Sequence, residues 1–103
     1  MLTERDIQEI VRRIVEVADP ERIILFGSYA NGTATEDSDV DLLVVKETDA
    51  PFAERSAGIR LALLEWPVGM DLVVQTPEEF ARNRGKSWTV TAEALEHGSL
   101  LHG

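Results

Sequence analysis

With 103 residues, 44% of them hydrophobic and 28% charged, the chain has the makings of one compact domain over residues 1–103 and no room for a second, substrate-specific one. Nineteen Asp and Glu against ten Lys and Arg leave a net charge of -9, which repels the phosphate backbone of a long nucleic acid and argues against one as partner. The absence of cysteine excludes disulfides, thiolate metal sites and cysteine nucleophiles; with no basic-then-apolar leader and no long apolar run, a soluble, cytoplasmic protein is expected.

In chain order, the first element is a helix from Thr3 to Ala18. Its apolar positions Ile7, Ile10, Val11, Ile14, Val15 and Ala18 recur at three- and four-residue intervals, with Thr3 as cap and Pro20 as stop. The run Ile23, Ile24, Leu25, Phe26 then predicts a strand buried on both faces that ends at Gly27, where the chain can turn tightly. A second strand is expected from Asp39 to Val45. Alternation places Asp39 and Asp41 on one face and Val40, Leu42 and Val44 on the other. A helix follows from Pro51 to about Trp66, with Phe52, Ile59, Leu63 and Trp66 on one stripe, although Gly58 weakens it.

The third strand, Met70 to Thr76, sets Asp71 on the face opposite Met70, Leu72 and Val74. Thr76, Pro77 and Glu79 then spell a capped helix start. A last helix is expected from about Trp88 to His97, closed by a left-handed Gly98, with Leu100 and Leu101 folding back onto the core. Trp66 and Trp88 read as core or interface anchors, Arg82, Arg84 and Lys86 as a solvated basic loop, and His97 and His102 as helix-end residues without catalytic work. The expected fold is α/β of the α+β kind: a small mixed sheet of about three strands flanked by helices.

Chemistry concentrates in GSYANGTATEDSDVD, Gly27 to Asp41. Two aspartates at alternate positions of one strand, with a third on another, supply the oxygen ligands that a pair of Mg²⁺ ions prefers when bridging substrate phosphates. Gly27 and Ser28, at the end of a strand, are placed to offer backbone N–H groups and a hydroxyl to a polyphosphate. The segment matches neither GxxxxGK[ST] nor GxGxxG. Taken singly, each feature is better read as an edge residue, an ordinary turn or a surface acid. Their joint spacing is what points to a site.

That spacing, Gly-Ser, ten residues, then D-x-D followed by LLVV, resembles the signature of the nucleotidyltransferase superfamily with the DNA polymerase beta fold. The likeness runs from the first helix through MDLVV to EALEHGSLLHG and is nearest to the minimal nucleotidyltransferases. The resemblance implies roles: Gly27 and Ser28 bind the nucleotide, Asp39 and Asp41 hold metal and act in catalysis, and Asp71 holds metal or activates the acceptor hydroxyl. It implies Mg²⁺, in two copies, and ATP as donor. It also implies a partner, a HEPN-class ribonuclease toxin whose tyrosine receives AMP, making the chain a type VII-like antitoxin in a hetero-oligomer. Asn31 stands where many relatives carry a basic residue, a difference that would weaken triphosphate or partner binding. Two alternatives stay open: a module that neutralises its partner by covering it, and an aminoglycoside-like transferase acting on small molecules.

Overall fold

The computed structural model describes all residues, 1–103. Helix α1 spans Glu4–Ala18, strand β1 Arg22–Phe26, the single turn α2 Ser28–Asn31 and strand β2 Val40–Val45. Then come α3 (Ala57–Ala62), β3 (Met70–Gln75), α4 (Pro77–Asn83), α5 (Val90–His97) and β4 (Ser99–His102). The strands form one mixed sheet in the order β3-β2-β1-β4: β3 runs parallel to β2, and β1 is antiparallel to both its neighbours. No helix is long and apolar enough to cross a membrane.

Alternation along the central strands divides the core between two faces. Ile23 and Leu25 of β1, Val40, Leu42 and Val44 of β2, and Leu72 and Val74 of β3 pack beneath α1 and α3, which contribute Ile10, Ile14, Ala18, Ile59 and Leu63. The opposite face presents Ile24, Leu43 and Val45 to Phe80 of α4 and Ala94 of α5. Odd-numbered residues of β2 and β3 therefore belong to the α4/α5 face, and so do the aspartates in register with them.

The helix starts follow their sequence signals. Thr3 and Asp6 close a capping box on α1, Thr76 and Glu79 close another on α4, and Pro77 occupies the first turn of α4. Past Ala18, Asp19 takes a left-handed conformation at φ 47 before Pro20 stops the helix.

Four expectations are corrected. The sheet has a fourth strand, because Leu100 pairs with Ile24 and Ser99 with Leu25, with an irregularity between Ile23 and Ile24. The predicted helix from Pro51 to Trp66 is instead a 3₁₀ turn, Phe52–Glu54, followed by the short α3. Ile59 and Leu63 of its predicted stripe are buried, but Phe52 is 62% exposed and stacks beside the Arg55 guanidinium. Arg55 itself reaches the Ala50 carbonyl at 3.0 Å and Glu79 at 2.6 Å, ties that fix the break between the two turns. Gly98 is extended, with φ -90 and ψ 174, rather than left-handed; a β-carbon there would come within 2.7 Å of the Leu25 carbonyl oxygen, so glycine admits the close approach of β4 to β1. The last helix begins at Val90, where Thr89 accepts from the Ala92 amide, which leaves Trp88 outside it and 82% exposed.

Candidate active site

The site begins with β1 running out at Phe26. Gly27 follows with φ 72 and ψ -155, a backbone conformation that side-chain-bearing residues rarely adopt. A β-carbon at Gly27 would also lie 3.0 Å from Asp41 Cγ and overlap its carboxylate. The turn is thus pressed directly against the second aspartate of D-x-D. The Gly27 carbonyl accepts from the amides of Ala30 and Asn31 at 3.0 and 3.1 Å. The Ser28 and Tyr29 amides, ahead of these first donors of α2, remain available to an anion.

The ten-residue link is knit by its own hydroxyls. Asn31 Oδ1 accepts from the Thr33 amide at 3.0 Å, the Thr35 amide donates to Ser38 Oγ at 2.8 Å, and the Ser38 amide donates to the Thr35 carbonyl at 3.1 Å. Asn31 therefore spends its carbonyl on holding the turn, and its exposed amide group alone is left to meet a ligand.

Asp39 lies just before β2 and Asp41 inside it. Parallel pairing sets Asp41 beside Asp71 on one rung, and the Val40 amide bonds the Gly69 carbonyl at 2.9 Å on the rung before. Asp39 leans against Gly69, where a β-carbon would stand 2.8 Å from Asp39 Cγ. Gly69 was not anticipated from the sequence; a glycine immediately before an Asp-bearing strand was the available signal. The structure brings all five expected residues, Gly27, Ser28, Asp39, Asp41 and Asp71, to one end of the sheet.

Like charges on adjacent strands have an electrostatic consequence. Asp41 is pushed up to about 6, first by burial, then by hydrogen bonding with Asp71 and by the negative charges of Asp71 and Asp39. The side chains as they stand do not converge on a single ion-sized point: Asp41 and Asp71 share a rung, while Asp39 rests on Gly69. The donor set nevertheless suits a hard divalent cation, because every side chain offers carboxylate oxygen and a cation would offset the negative charges that raise Asp41. Asp39 and Asp71 are exposed and free to turn toward it. The His97 and His102 side chains do not join the acidic group, and the exposed His97 has only Glu96 nearby, at 3.8 Å.

The arrangement pairs an anion-accepting turn with a carboxylate rung, and the profile of the nucleotidyltransferase domain family matches residues 4–101. The chain belongs to that family. A relative from Methanocaldococcus jannaschii, provisionally named a protein adenylyltransferase, is 36% identical over 85 residues, spanning 80% of this nucleotidyltransferase and 78% of the relative. Among solved structures, a provisionally named nucleotidyltransferase from Sulfolobus solfataricus superimposes with a TM-score of 0.61 at 21% identity, covering 91% of this chain and 74% of the other. A toxin–antitoxin structure with AMP-PNP gives a TM-score of 0.60 at 21% identity, covering 93% and 73%. The two structures establish that the fold is shared. The largest concavity of this nucleotidyltransferase, about 630 Å³ between α1 and β4, lies away from the carboxylate rung.

Proposed function

We propose that this nucleotidyltransferase transfers AMP from ATP to a hydroxyl of a partner protein, with Mg²⁺ held by Asp39, Asp41 and Asp71. The observation that carries the reading is the contact of Gly27 with Asp41, which sets a triphosphate held at the turn next to the carboxylates. The provisional name of the Methanocaldococcus relative supports a protein as acceptor.

In this reading the amides of Ser28 and Tyr29 and the Ser28 hydroxyl hold the β- and γ-phosphates, orienting the α-phosphorus toward the rung. Bound cations supply charge neutralisation of the phosphates and of the leaving pyrophosphate. Asp71, the most accessible carboxylate of the rung, accepts the proton from the acceptor hydroxyl. The acceptor oxygen bonds to the α-phosphorus as the bond from that phosphorus to the bridging oxygen breaks, giving an adenylylated acceptor and pyrophosphate.

The acceptor we favour is a tyrosine of a HEPN ribonuclease toxin, with the chain acting as antitoxin, on the resemblance of the sequence to minimal nucleotidyltransferases and on the toxin–antitoxin structure of the same fold. The largest concavity lies away from the rung, which fits an acceptor presented there by another molecule. Incubation with labelled ATP, Mg²⁺ and a co-purified HEPN partner is expected to label that partner. Asp41→Asn is expected to reduce labelling on the order of 100-fold or more; undiminished labelling would refute the site, and none with the wild-type protein would refute the acceptor.

A further inference from the structure

The two edges of the sheet are treated differently. On β3 the Gly69 and Gln75 carbonyls bond β2, so the carbonyls of even-numbered residues point outward. Two of these are covered: Arg60 Nη1 donates to the Met70 carbonyl at 3.1 Å, and Arg55 Nη1 donates to the Val74 carbonyl at 3.3 Å. Those guanidinium groups close the β3 edge to any added strand. On β4 no element lies beyond the strand, and Leu100 is 58% exposed.

The open edge borders the 630 Å³ concavity, whose walls are mainly apolar: Ile7 and Val11 of α1, Tyr29 of α2, and Leu100 and Leu101 of β4. Met1, Leu2 and Tyr29 also line a second pocket of about 330 Å³ that continues to Glu36, Asp37 and Asp39. Leu2 and Tyr29, common to both, are joined by the Leu2 amide donating to the Tyr29 hydroxyl at 3.1 Å. With Met1, Leu2 and Tyr29 as their shared wall, the two pockets mark out a path from the free β4 edge to the first aspartate of the site. It is apolar at its outer end and acidic at its inner end.

We infer that these two pockets form the docking channel for an extended segment of the acceptor protein, with apolar side chains along α1 and β4 and basic residues beside Glu36 and Asp37, leading its hydroxyl past Asp39 toward Asp71. The inference rests on the protein-acceptor reading above and adds the form of the substrate. Charge complementarity selects the occupant: Glu36 and Asp37, to which no metal is assigned, are exposed and call for positive residues near the hydroxyl. A second copy of the chain, also carrying -9, is repelled by the same acids.

The probe is a synthetic peptide of two lysines, one tyrosine and three alternating Leu and Val residues, made in both chain directions and titrated into the full chain without ATP or Mg²⁺. Amide NMR shifts are expected at Val11, Tyr29 and Leu100, and replacing the lysines by glutamates should weaken binding at least about tenfold. Leu100→Glu should also weaken it about tenfold, even though the added negative charge favours non-specific attraction of a basic peptide. Leu64→Glu, on the exposed far end of the α3 region, should leave binding unchanged, and dispersed spectra verify that each variant folds.

Failure of both peptides to bind at millimolar concentration, equal binding by the glutamate peptide, or shifts confined to α4 and α5 would overturn the channel. So would sedimentation showing a dimer that buries Leu100, or ATP with Mg²⁺ shifting Val11 and Leu100 in place of the peptide. Because no nucleotide is present in the titration, its failure is separable from failure of partner labelling, which tests the transfer itself.

Discussion

Two glycines at the site are small for different reasons, and their variants should separate folding from activity. Gly27 combines φ 72 with the Asp41 carboxylate against its open side. Gly27→Ala is expected to destabilise the protein by about 1–3 kcal/mol in urea unfolding and to abolish ATP binding in calorimetry. Gly69 has no positive φ, so its backbone accepts alanine; what the new methyl displaces is the exposed Asp39 side chain. Gly69→Ala should hold Tm within about 3 °C while partner labelling falls about 10- to 100-fold, the range typical of disturbed support around a metal ligand. A Tm loss equal to that of Gly27→Ala would contradict this account. The raised Asp41 carboxyl adds a pH dependence whose sign follows from the protonated form being favoured in the folded state. Its stabilising contribution is complete below the ordinary value of 3.8 and is lost as pH rises through about 6. Urea titrations of the metal-free protein should show stability declining across that window, Asp41→Asn should flatten the decline, and Mg²⁺ should offset it above pH 6.

At the scale of elements, Arg55 ties three separate segments together. Only 11% exposed, it joins the Ala50 carbonyl, the outward Val74 carbonyl and Glu79 of the α4 capping box. Arg55→Ala leaves these acceptors short of a partner and should cost about 2 kcal/mol in denaturant unfolding, whereas Arg12→Ala, whose ion pairs with Glu9 and Glu16 are exposed, should leave the unfolding midpoint essentially where it is. The same residue marks where the sequence was hard to read. Apolar periodicity located α1, and β-branched runs located β1, β2 and β3, because each buries a face whose pattern is local. The break before α3 depends on Arg55 reaching Glu79, a contact between distant parts of the chain that no local pattern carries. β4 went unread as a strand since SLLH is short and pairs across a register irregularity with β1. That Gly27, Ser28, Asp39 and Asp41 meet at one end of the sheet was legible through their spacing, and that Asp71 joins them through alternation on the third strand. The part played by Gly69 emerges only when β3 is laid parallel to β2.

For the whole molecule, ligand linkage gives the simplest test of the proposed site. Binding of ATP with Mg²⁺ to the folded state alone at about 100 times its Kd would add about 2.7 kcal/mol. In a domain of this size that should raise Tm by roughly 10 °C or more, and Asp39→Asn or Asp41→Asn should remove most of the rise. Unchanged melting of the wild-type protein would indicate that the turn and the carboxylates do not hold the nucleotide. The parallel pairing of β2 with β3 has one more consequence, for the order of assembly. β1 and β2 are antiparallel neighbours joined by a link that its own hydroxyls hold together, so the centre of the sheet can form from local contacts. β3 reaches β2 only after the crossover through α3, and the Asp41–Asp71 rung forms at that docking step. The repulsion between Asp41 and Asp71 is therefore absent from the early sheet, where Asp39 alone stands against Asp41, and arises when the third strand arrives, so neutralising Asp71 should slow unfolding more than it hastens the initial pairing of β1 with β2.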